Sequence, residues 1–167
     1  MFAAQAIAHD DKPSFYAELA GQLSALLQDE RDAIANAANT AALIFEMLPD
    51  LNWAGFYFLR PAKSGEELVL GPFQGKTACV RIAIGRGVCG AAVAQRQTML
   101  VEDVHAFPGH IACDAASRSE LVVPLTRNGR IFGVLDLDSP LPGRFNADDQ
   151  RGVEALAAIY VTGSDRL

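Results

Sequence analysis

Apolar positions along this chain recur with two different periods, and the switches between them mark the elements. From 13 to 29, Phe15, Leu19, Leu23, Leu26 and Leu27 recur at helical spacing, and Pro13 or Ser14 suits the start. A second helix is predicted from Asp32 to Met47, through Ala33, Ile34, Ala37, Ala41, Leu43 and Ile44, with Pro49 closing it. Its apolar face is mostly alanine, so a neighbour can lie close. Asn52 to Leu59 is rich in aromatics and reads as a strand. Lys63-Ser64-Gly65-Glu66 is a turn, and Glu67 to Phe73 returns as the next strand. Cys79 to Ile84 is a short strand that Gly85-Arg86-Gly87 breaks, and Val88 to Ala94 is a short helix of small residues. Thr98 to Val101 is another short strand.

Residues 103 to 117, with Pro108, Gly109, His105 and His110, form a loop long enough to suggest function. The two strongest strand signals follow, Leu121 to Leu125 and Ile131 to Leu135, joined by a hairpin at Asn128-Gly129. Both strands are apolar on both faces, so both faces should be covered. Asn146 is a good N-cap for a last helix from Ala147 to Val161. This order predicts one α+β domain over 1–167. Helices cover one face of a mostly antiparallel sheet, and a pocket lies on the other face under the long loop.

The hairpin decides where three carboxylates point, because side chains on a strand alternate with period two. A loop of Asn128-Gly129 alone pairs Arg127 with Arg130 and sends Glu120 to the face opposite Asp136 and Asp138. A loop of Arg127-Asn128-Gly129 pairs Thr126 with Arg130, sets Glu120 across from Asp136, and gathers all three acids on one face. Carboxylates that close cannot all ionise cheaply, so one would stay protonated near neutral pH and could donate a proton. The plainer alternatives are a loop start at Asp138 and a solvated strand end at Glu120.

Composition narrows the chemistry. The chain has 167 residues, is half hydrophobic and carries a net charge of −6 without a block of like charges. Nucleic acid is excluded for want of a basic face, and no apolar run approaches a membrane span. The N-terminus lacks the basic n-region of a signal peptide, so the expected compartment is the cytoplasm.

All three cysteines, Cys79, Cys89 and Cys113, lie between 77 and 138 with the acids and both loop histidines. An odd count without an export signal argues against a structural disulfide framework. Cys79 and Cys89, flanked by small apolar residues, suit the reading of buried core thiols. Cys113, in the glycine-containing loop, suits a nucleophile. His105, His110 and Cys113 lie close in sequence but match none of the paired spacings of structural zinc sites. No Gly-x-Ser-x-Gly elbow is present, and Gly85-Arg86-Gly87-Val88-Cys89-Gly90 holds only part of a dinucleotide fingerprint.

Several segments together resemble one family. These are Asn52-Trp53-Ala54-Gly55-Phe56-Tyr57, Gly71-Pro72-Phe73-Gln74-Gly75, Gly85 to Gly90, Val101 to Ile111, Ser117 to Pro124 and Gly133 to Ser139. They resemble the GAF-domain free methionine-(R)-sulfoxide reductases over about 14 to 162. Glu-Leu-Val-Val-Pro and Gly-Val-Leu-Asp-Leu-Asp alone would indicate only a GAF domain; the three cysteine positions make the subfamily specific. The resemblance implies an antiparallel sheet of about six strands with helices behind and a closed pocket in front. It implies reduction of free L-methionine (R)-sulfoxide, with thioredoxin as reductant and no metal or organic cofactor.

By position, Cys113 matches the nucleophile, Cys79 the resolving cysteine, and Cys89 a third cysteine with an auxiliary or alternative resolving role. Glu120, Asp136 and Asp138 match pocket carboxylates. Trp53 and Tyr57 match aromatics around the substrate methyl group; plain core packing is the alternative for both. A non-catalytic GAF-type sensor module is the competing function, and a peroxide-reducing thiol protein a third. The two N-terminal helices offer a face for a homodimer.

Overall fold

The structure is a computed structural model and describes residues 2–8, 10–63, 65–109 and 115–165. In chain order the elements are α1 (Lys12–Leu27), α2 (Ala33–Met47), β1 (Trp53–Ala62), β2 (Gly65–Gly75), β3 (Arg81–Ala83), α3 (Gly87–Gln95), β4 (Met99–Val101), β5 (Ser119–Arg127), β6 (Arg130–Ser139) and α4 (Ala147–Gly163), with a 3-10 turn at Val104–Ala106. The six strands form one sheet in the order β3-β2-β1-β6-β5-β4, and every neighbouring pair is antiparallel. No helix among the described residues is long and apolar enough to cross a membrane.

Helix starts follow from side-chain caps. Asp11 accepts from the Ser14 amide, and Asp32 from the amides of Ile34 and Ala35. Asn146 and Asp149 form a reciprocal capping box on α4. α1 and α4 approach closely because Gly152 has no side chain. A Cβ there would lie 2.1 Å from Cγ of Tyr16. Tyr16 in turn donates to Asp149 Oδ1 at 2.9 Å.

Strand alternation divides the sheet into two apolar layers. Phe56, Phe58, Leu121, Val123, Leu125, Leu135 and Leu137 face α1, α2 and α4 and make the larger core. Trp53, Tyr57, Val122 and Val134 face the other way, against Val88, Cys89, Ala92 and Val93 of α3. The helices are therefore not confined to one side, as the sequence suggested. Among the described residues α3 roofs the second face, with Val104 of the 3-10 turn packed beside it.

The β5–β6 hairpin combines both sequence-predicted registers. Asn128 and Gly129 have φ of 52° and 76°, the left-handed pair that a two-residue type I′ turn requires. Arg127 accordingly pairs with Arg130. A bulge then intervenes, since Thr126 pairs with Ile131 but Leu125 pairs with Gly133, leaving Phe132 extra. One extra residue inverts the alternation once. Glu120, Asp136 and Asp138 thus share a face, but Glu120 lies across from Asp138, not from Asp136; Val122 opposes Asp136.

Candidate active site

Two rows of residues cross the second face. Trp53 of β1, Asp138 of β6 and Glu120 of β5 stand in one row, and Gly55, Asp136 and Val122 in the next. Glu120 and Asp136 are diagonal neighbours, 6% and 5% exposed. Asp138 is less enclosed, and its electrostatic or hydrogen-bonding partners include ones beyond these.

α3 lowers Cys89 onto the two buried acids. Its Sγ lies 3.2 Å from Asp136 Oδ2 and 4.0 Å from Glu120 Oε1. α3 can come this close because Gly90 lacks a side chain, which would otherwise sit 2.5 Å from the Ala83 carbonyl. The sequence favoured an inert core role for Cys89, and it is indeed buried, but it is a hydrogen-bond donor within a charged cluster.

Burial pushes the Glu120 carboxyl well above the usual range, with further upward pushes from the charges of Asp136 and Asp138. Burial also raises Asp136 to about 7, although hydrogen bonds from Cys89 and Glu120 pull against it. The Cys89 thiol is pushed far up by burial first and then by the Asp136 and Glu120 charges. The helix N-terminus near Cys89 favours a thiolate, but only by about 1 kcal/mol, so burial and the carboxylates win. The cluster therefore holds protons at neutral pH. One oxygen, Asp136 Oδ1, is buried with no hydrogen-bond partner among the described residues.

Trp53 and Tyr57 wall the cluster on the β1 side. Their rings stack with centroids 5.8 Å apart, and Phe73 stacks on the other side of Trp53 at 5.3 Å. Their polar tips do a second job that the sequence did not show. Trp53 Nε1–H donates to the Lys76 carbonyl at 3.1 Å, and the Tyr57 hydroxyl to the Cys79 carbonyl at 3.0 Å. These bonds hold the segment carrying Cys79 against the aromatic wall of the site. Cys79 is half-buried and disulfide-bonded, whereas Cys89 is free.

Phe73 and Gly55 belong to the site although sequence reasoning gave neither a role. The glycine is a necessity of packing. A Cβ at Gly55 would lie 2.4 Å from Cβ of Phe73 and 2.6 Å from Cη2 of Trp53. Gly55→Ala should therefore displace the indole and cost about 1–3 kcal/mol by overpacking. Trp53 is the sole tryptophan, so a red-shifted emission together with a lower denaturation midpoint would register both effects.

Cys113 and His110 fall outside the described residues. His105 stands mostly exposed with its ring against Asp103 at 3.1 Å, on the 3-10 turn. As for metals, the ligand atoms of Cys89, Glu120 and Asp136 lie within 4.8 Å of one another, a spacing that a divalent cation could bridge.

The arrangement has counterparts. A family model for the GAF domain matches residues 34–161. The free methionine-R-sulfoxide reductase of Escherichia coli strain K12 is 55% identical over 148 residues, 89% of this chain and 87% of the relative. The X-ray structure of free methionine-R-sulfoxide reductase from Neisseria meningitidis in complex with its substrate matches with TM-score 0.91 and 47% identity, over 98% of this chain and 95% of that one. A protein from Burkholderia vietnamiensis named as a GAF sensor matches with TM-score 0.86 and 57% identity, over 92% and 96%. This chain belongs to the GAF-domain family and, within it, to the family of the free methionine-R-sulfoxide reductases.

Proposed function

We propose that the protein reduces free L-methionine (R)-sulfoxide to methionine with a cysteine thiolate, a buried proton donor and a regenerable disulfide. The observation that carries this reading is the proton-holding cluster of Glu120, Asp136 and Cys89 beside a disulfide-bonded Cys79. In the first step the Cys113 thiolate attacks the sulfoxide sulfur. The sulfoxide oxygen must take up protons as its bond to that sulfur breaks, and Glu120 or Asp136 supplies one. The water so formed adds to the Cys113 sulfur, the bond between the two sulfurs breaks and one proton is returned, which leaves Cys113 as a sulfenic acid and releases methionine. Cys79 then condenses with the sulfenic acid, expelling water and forming a disulfide that thioredoxin reduces by exchange. That Cys79 is bonded while Cys89 is free supports Cys79 as the resolving thiol. In this reading Asp138 and Asp136 accept hydrogen bonds from the substrate ammonium, and Trp53 and Tyr57 pack on its S-methyl group; the buried Oδ1 of Asp136, with no partner among the described residues, supports this.

A thioredoxin-reduced cycle requires a reducing compartment, which favours the cytoplasm. The whole chain works as one domain in this reading, and no metal or organic cofactor takes part. A homodimer through the N-terminal helices has less support, because α1 buries Phe15, Leu19, Leu23 and Leu27 in its own core. The test is NADPH consumption with thioredoxin and thioredoxin reductase. Free methionine (R)-sulfoxide should sustain it, and the (S) epimer or a peptide-bound sulfoxide should not. Tight binding of the sulfoxide without turnover would instead mark a sensor, and turnover with peroxide alone a peroxidase.

A further inference from the structure

We propose that the β3 edge of the sheet is the docking surface for the protein dithiol that reduces the Cys79 disulfide, an inference that rests on the redox cycle above. Four observations converge there. Val80 and Ile84 flank β3 and are 63% and 41% exposed. The other large hydrophobics exposed among the described residues, Phe2, Ile34 and Leu141, lie on separate parts of the chain. Val80 is the immediate neighbour of the half-buried Cys79. At strand spacing, Val80 and Ile84 lie roughly 13 Å apart, a span that suits the small contacts of transient redox encounters.

Second, β3 ends the sheet, and among the described residues nothing pairs with its outer side. Third, charge is distributed unevenly. From Leu68 to Val101 the chain carries Lys76, Arg81, Arg86 and Arg96 and no acid, in a protein of net charge −6. Lys76, Arg81 and Arg86 are exposed around the apolar pair, with Arg81 ion-paired to Glu67. The complementary partner has an apolar contact face rimmed by acids, so that long-range attraction brings it to this edge. Fourth, Cys89 is free and buried between α3 and the sheet, so exchange with a protein has to occur at the Cys79 disulfide.

The exchange balances within the two proteins. A partner thiolate attacks one sulfur of the Cys79 disulfide and forms a mixed disulfide. The other sulfur leaves as a thiolate and takes a proton. The partner's second thiol, deprotonated, attacks the mixed disulfide. The partner ends oxidised, and the two cysteines end as thiols.

The experiment mixes oxidised protein with reduced thioredoxin, without any sulfoxide, and follows new thiols by alkylation and mass shift. A Val80→Asp/Ile84→Asp double variant and an Arg86→Glu variant should each react at least tenfold more slowly with thioredoxin. Their rates with dithiothreitol should stay within twofold of wild type, because a small dithiol needs no docking surface. Ile34→Asp, exposed on α2, should match wild type with both reductants. Raising salt from roughly 0.05 to 0.3 M should slow the wild-type reaction with thioredoxin and affect Arg86→Glu less. Unchanged thioredoxin rates in the variants, or parallel losses with both reductants, would overturn the proposal. Because no sulfoxide is present, this outcome is separate from any failure of the proposed activity.

Discussion

Serine at Cys113 should abolish turnover, by at least about 10³-fold, whereas serine at Cys89 should cost less than about tenfold. A serine hydroxyl at 113 is far too weakly acidic to supply the nucleophile. At Cys89 the same exchange keeps a donor toward Asp136 Oδ2, now 3.2 Å from the thiol. Cys89 is a poor nucleophile in any case, since burial and two neighbouring carboxylates hold it protonated. Cys79→Ser should behave differently from both. It should give about one equivalent of methionine per chain and then stall, with a sulfenic acid that a 1,3-dione can trap. The measurement is a methionine burst assay on all three variants, with mass spectrometry of the trapped product. A dead Cys89→Ser beside a turning-over Cys79→Ser would transfer the resolving role to Cys89.

Much of this architecture is legible in the residue order, because long periodic segments carry their own signal. α1, α2 and α4 follow from their apolar spacing and from Asp and Asn caps. Asn128-Gly129 marks its turn because only such residues adopt two consecutive left-handed conformations readily. The bulge at Phe132 has only an ambiguous mark, Gly133, since a glycine within a strand signals either a bulge or a close approach of a neighbouring backbone, and here the Tyr57 carbonyl also crowds it. Yet the bulge alone returns Glu120 to the face of Asp136 and Asp138.

The side that α3 covers is not marked in the sequence for a related reason. A helix of valine, alanine and glycine has no polar face to say which side of a sheet it covers. Cys89 read as core because its chain neighbours are small and apolar. The acids that give it another character lie 31 and 47 residues away in sequence. The resemblance assigns Trp53 and Tyr57 to the pocket wall, but their bonds to the Lys76 and Cys79 carbonyls depend on how the β2–β3 connection folds back.

Neutralising the buried acids should separate catalysis from stability. Asp136→Asn or Glu120→Gln should lower kcat by roughly 10²–10³-fold if that residue carries the transferred proton. If the residue instead holds the substrate ammonium, the loss should fall mainly on KM. The wild-type rate should decline as pH rises past about 7, where Asp136 and its partner lose their shared proton. The variant that abolishes this alkaline decline identifies the donor.

Stability should move the opposite way. The folded protein binds the Asp136 proton more tightly than the unfolded chain does. Its contribution is complete below the ordinary carboxylate value of 3.8 and is lost as pH rises through about 7. Glu120 adds a loss of the same sign. At pH 8 the wild type must therefore hold like charges in a dry site, and the neutral variants need not. Asp136→Asn should melt a few degrees above wild type there, at about 2–4 °C per kcal/mol for a chain of this size, and the gap should close toward pH 4. Thermal melts across that range decide the matter. A variant that melts below wild type at pH 8 would mean that Asp136 is held ionised by a partner and is not the proton reservoir of the site.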